Sequence, residues 1–131
     1  MVAQQYVYAF GGKAAVVRFV YHNPVSSSGK SNYGINLANK RKILEDSGIK
    51  QSRAVDVLHR ATICYDQVNS FDAYEMKGGS FGEYERICQL LISFAQKSYP
   101  VRIAQIVCDF VKDDFEQIYF VGVKSFLGSK R

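Results

Sequence analysis

The chain reads as an α+β domain, an antiparallel sheet from N-terminal and C-terminal hairpins packed on about three central helices. Three observations predict this. Gln5–Phe10 (QYVYAF) and Ala14–Tyr21 (AAVVRFVY) are β-branched and aromatic runs around Gly11-Gly12, a strand–turn–strand pattern. Val101–Val111 and Phe115–Phe126 repeat it around Lys112-Asp113-Asp114. Between the two pairs, apolar residues recur at helical spacing. At 131 residues, 47% hydrophobic and 22% charged, the chain fits a single domain, 1–131. That length supports a core without metal or disulfide staples.

In the first strand Tyr6, Tyr8 and Phe10 alternate with Val7 and Ala9. The second, about Lys13–Tyr21, sets Val17, Phe19 and Tyr21 on one side and Val16, Arg18 and Val20 on the other. A charge between two valines marks that side as incompletely buried. Pro24 ends the strand, and the Ser/Gly-rich stretch to Gly34 reads as a flexible loop.

A first helix is expected over Leu37–Asp46, carrying Lys40-Arg41-Lys42 and stopped by Ser47-Gly48. A second starts after Ser52 and runs to about Asp66. Ala54, Val57, Leu58, Ala61 and Tyr65 form its stripe, with Arg53 and Arg60 outward. Asn69–Gly79 reads as a loop containing a short strand. The third helix has a Ser80/Glu83 capping box and a stripe of Tyr84, Ile87, Cys88, Leu91, Phe94 and Ala95. Ser98-Tyr99-Pro100 terminates it, because the residue before proline is pushed out of the helical region.

Val101–Val111 then reads as a strand with Arg102, Ala104, Ile106, Cys108 and Phe110 inward. A helical reading of Ala104–Phe115 competes, since short apolar runs are ambiguous by period alone. In the last strand Ile118 and Phe120 share one face, and Tyr119, Val121 and Val123 the other. Gly128–Arg131 reads as a frayed basic tail.

The chemistry is sparse. Cys64, Cys88 and Cys108 are widely spaced, with no CxxC pair and no zinc-ligand spacing among Cys and His, so buried free thiols and no metal are expected. Ser28-Gly29-Lys30-Ser31 sits between a strand and a helix, as a phosphate-binding loop would. Pro24-Val25 stands in place of the glycine that opens that pattern. His59 and Cys64 are five apart and do not share a helical face well. His22 reaches Cys108 or Asp109 only if the terminal hairpins pair. The carboxylate pairs Glu83/Glu85 and Asp113/Asp114 read as a cap and a turn, not as general acid–base machinery. No cofactor is expected. The absence of an 18-residue apolar stretch or a basic-then-apolar leader points to an intracellular, cytoplasmic protein with no membrane span.

Lys and Arg number 17 against 12 Asp and Glu, a net charge of +5 that permits a polyanionic partner. The leading expectation is a non-enzymatic homo-oligomer binding nucleic acid, RNA or DNA, through the Ser/Gly loop and the basic first helix. Lys30, Lys40, Arg41 and Lys42 would contact phosphates, extended by Arg53 and Arg60. The alternative is a protein–protein interaction or assembly adaptor using an aromatic sheet face with Tyr6, Tyr8 and Arg18.

Overall fold

The structure, a computed structural model, describes residues 13–23, 31–42 and 71–130. These form five strands and one α-helix: β1 (Lys13–His22), β2 (Tyr33–Lys42), β3 (Phe71–Glu75), α1 (Gly82–Ser98), β4 (Val101–Lys112) and β5 (Ile118–Lys130). The sheet is antiparallel throughout, in the order β3-β2-β1-β4-β5.

The expected sheet on about three helices is therefore corrected. Among the described residues a single α-helix covers the sheet. The expected first helix is β2 over its first six residues, Leu37 to Lys42. Lysine and arginine favour helices, but Gly34, Asn36 and Asn39 do not, and β2 is hydrogen-bonded to a strand on each side. Pairing overrides the propensity of the basic run. The expected strand Gln5–Phe10, the Ser/Gly loop through Lys30 and the expected second helix lie outside the described residues.

β1 is the central strand, paired with β2 and β4. Its expected faces hold. Val17, Phe19 and Tyr21 are buried beneath α1. Arg18 lies on the opposite face, directly across from Asp109. Its Nε donates to Asp109 Oδ1 at 2.9 Å and its Nη2 to Oδ2 at 3.1 Å. The second face is not simply open, because Val20 and Leu37 are buried there too. A planar guanidinium matched to a carboxylate offsets the cost of holding a charge among them.

α1 packs against β4 in a matched register. Tyr84, Cys88 and Ile92 are its buried residues, four apart. Phe110, Cys108 and Ile106 are buried on β4, two apart. Four residues of helix rise about 6 Å and two residues of strand about 6.6 Å, so the two rows stay in step over three layers. Tyr84 meets Phe110 edge-on at 5.0 Å and stacks on Phe19 at 5.6 Å. Gln96 Oε1 accepts the backbone N–H of Ile103 at 2.9 Å and ties the end of α1 to the start of β4.

Several local expectations change. Phe81, not Ser80, caps α1, without a side-chain bond. Glu83 turns to Arg86 instead, at 2.6 and 3.2 Å. β4 is a strand throughout, which removes its helical reading. Ile103 is buried in place of Arg102 and Ala104, because a bulge at Ala104 shifts the phase of the strand. β5 continues to Lys130, through most of the expected frayed tail. The β4–β5 turn is held by Asp113, whose Oδ1 accepts the N–H groups of Phe115 and Gln117, both at 2.9 Å.

Replacing Phe110 by alanine should cost about 3–5 kcal/mol, read from urea unfolding. For the second face, a double-mutant cycle of Arg18→Ala and Asp109→Ala should return a coupling of about 1–2 kcal/mol. A coupling near zero would reduce the pair to a solvated contact.

Candidate interaction surface

Two consecutive bulges shape the outer edge of the sheet. Phe120 pairs with Phe110, Val123 with Cys108 and Phe126 with Ile106, so Val121 and Lys124 are the extra residues. An unbulged strand returns to the same face every second residue. β5 returns every third, and Phe120, Val123 and Phe126 all lie on the α1 side. The expected separation of Val123 from Phe120 is thereby corrected.

Val123 and Phe126 form one wall of a groove whose other wall is α1. Leu91, Phe94 and Tyr99 line the helix side and Ile106 the floor. The groove has a volume of about 470 Å³ and is almost wholly apolar. Gly128 lets the hairpin close over its end. A Cβ there would come 3.2 Å from Val101 Cγ2 and 3.3 Å from the Arg102 carbonyl oxygen. The walls stand far out of the protein, with Phe94 70% exposed and Phe126 58%. Leu90, also exposed on α1, adds to the apolar surface on the helix side.

A second depression of about 400 Å³ lies at the other end of the sheet, among Tyr74, Lys77, Tyr84, Lys112 and Glu116. Its lining is mixed polar and apolar. Tyr84 forms its inner limit, and burial raises the pKa of that phenol.

The thiols of Cys88 and Cys108 are free and fully buried. The two thiols interact within the α1–β4 contact. The Cys108 thiol, together with burial, raises the pKa of Cys88. β1 and β4 do pair, as contact between His22 and Cys108 requires, but His22 lies across from Gln105 while Cys108 lies across from Phe19. Three rows separate imidazole and thiol, and Asp109 is held by Arg18. Among the described residues no three His, Cys, Asp or Glu side chains cluster as metal ligands. No helix of the described residues is long and apolar enough to cross a membrane.

Of the residues expected to form the site, Arg18, Lys40, Arg41 and Lys42 fall among the described residues. Lys40 is exposed near the end of β2, followed by Arg41 and Lys42. These residues belong to a strand, so the triplet is not the outer surface of a helix. Lys42 is paired with Lys13. Arg18 is engaged with Asp109 and is not a free contact residue. Tyr6, Tyr8, Lys30, Arg53 and Arg60 lie outside the described residues.

The groove went unread in the sequence for a physical reason. Leu90, Leu91, Ile92 and Phe94 make the apolar arc of α1 wider than one packed stripe requires, and that excess was the available signal. The β5 wall gave none, because bulges leave no mark in period-two alternation. The chain matches no protein-family model, no curated protein and no solved structure.

Tyr84 generates a pH prediction. Burial holds its folded pKa above the unfolded value near 10. Its contribution is complete below that pH and is lost as pH rises through the folded value, because the unfolded chain ionises first. The hydrogen bond to Asp113 raises the pKa of the exposed Tyr119 and acts in the same direction. Urea midpoints should fall above about pH 10, and Tyr84→Phe should flatten that decline more than Tyr119→Phe.

Proposed function

We propose that the chain is a non-enzymatic, intracellular interaction module whose working surface is the apolar groove between α1 and β5. The observation that carries this reading is the exposure of Phe94 and Phe126 on facing walls of one groove. Large contiguous apolar surface on a small domain is costly in water and marks a place where another molecule is bound. Aromatic anchors around a concave apolar floor are the usual centre of a protein–protein contact.

The neutral dye Nile red tests the groove without reference to any partner. The folded protein should enhance and blue-shift its emission. Phe94→Asp, at an exposed helix position, should remove most of that signal with an unchanged far-UV circular dichroism spectrum. No enhancement by the parent protein would overturn the reading.

A second reading rests on the basic run Lys40-Arg41-Lys42, which ends β2. A run of three consecutive cations can neutralise backbone phosphates. Replacing Lys40, Arg41 and Lys42 by alanine should weaken binding to a random single-stranded oligonucleotide. It should also lower the dependence of log K on log salt by about two to three units. Absence of binding by the parent chain at low salt would remove this reading.

A further inference from the structure

We propose that the partner taken by this groove is an acidic amphipathic helix. The inference rests on the groove being an interaction surface and goes further by assigning the partner's chemistry. Its ground is the distribution of charge around the apolar walls. From Ile87 to Cys108, and throughout β5, the chain contains no aspartate or glutamate. The same segments contribute Lys97, Lys124 and Lys130, all exposed and without an ion pair among the described residues.

Each lysine lies beside a groove wall. Lys97 is one turn beyond Phe94 on α1, and Lys124 is the bulged residue next to Val123. Lys130 pairs with Val101, which lines the groove end. The surface is thus an apolar trough bordered by positive charge on both sides.

A second copy of the chain is a poor match, because a twofold contact on this face would set one lysine-bordered, carboxylate-free surface against another. A membrane surface is also a poor match. The apolar residues line a concavity, and a bilayer is met best by side chains on a convex face. A helix fits the concavity. Its apolar residues at i, i+3, i+4 and i+7 would fill the trough between Phe94 and Phe126. Carboxylates flanking that stripe would lie against the lysines. Such contacts contribute to specificity and to the rate of encounter, while apolar burial supplies most of the affinity.

The test uses the full chain and two synthetic peptides of about 20 residues, long enough to be helical. They share one leucine face and carry either glutamate or lysine on the polar face. Fluorescence anisotropy at low salt should show the acidic peptide binding at least about tenfold more tightly than the basic one. The triple variant with Lys97, Lys124 and Lys130 changed to glutamate should reverse that order while retaining Nile red binding. Equal affinities, or an unchanged order in the variant, would overturn the proposal. So would binding to phosphatidylserine vesicles without binding to the acidic peptide, or a concentration-dependent dimer abolished by Phe94→Asp. In those cases retained Nile red binding leaves the groove standing as a surface and removes only the acidic partner. Loss of dye binding by the parent chain removes both.

Discussion

The structure depends on the register between α1 and β4. Tyr84, Cys88 and Ile92 face Phe110, Cys108 and Ile106 as three layers, because a helix advancing four residues and a strand advancing two cover nearly the same distance. Phe19 of the central strand joins the first layer by stacking on Tyr84. Shifting the helix by one residue would rotate these side chains away from the sheet and strand the fully buried Phe19 and Phe110 without a cover. Full burial of each is worth about 2–3 kcal/mol, so a single alignment is strongly favoured. The same alignment fixes where the helix ends relative to β5, and therefore where the groove opens.

The two faces of the sheet are stabilised differently. Beneath α1 the contacts are aromatic and aliphatic. On the opposite face Arg18 and Asp109 sit in one row across β1 and β4, flanked by Ile35 on β2 and Gly122 on β5. Each partner is about a fifth to a quarter exposed, enough to keep some hydration yet low enough for the paired geometry to matter. The pair also favours one register of β1 against β4. A slip by one residue would move Arg18 to the apolar face and leave Asp109 alone.

Much of this was legible in the sequence. The faces of β1, the extent of α1, the short strand after Asn69 and the inward set Ile106, Cys108 and Phe110 follow from periodicity and from charge placement. β2 did not, because Lys40-Arg41-Lys42 and Leu37 fit a helical period while pairing with two neighbours decides for a strand. The Ser80/Glu83 signature was present, but Arg86 lies one turn beyond Glu83 and takes its carboxylate. The site was least legible. It depends on which face β5 presents at each position, and that is set by bulges, whose location reflects pairing with β4 and not any local residue preference.

Those bulges also explain how an exposed, apolar edge strand is compatible with a specific surface. A flat edge of this length would offer a row of unpaired backbone groups to any passing strand. In β5 the extra residues Val121 and Lys124 interrupt the regular spacing near its middle, and Lys124 adds a charge at the edge. Both features oppose strand-by-strand addition. The same two insertions bring Phe120, Val123 and Phe126 to the α1 side, where they build a wall. The irregularity thus weakens backbone-mediated pairing and strengthens side-chain recognition at once. Under the proposed function, a partner of this edge would be selected by what it places in the groove, so that the residues bordering the groove, and not the backbone of β5, would carry its specificity.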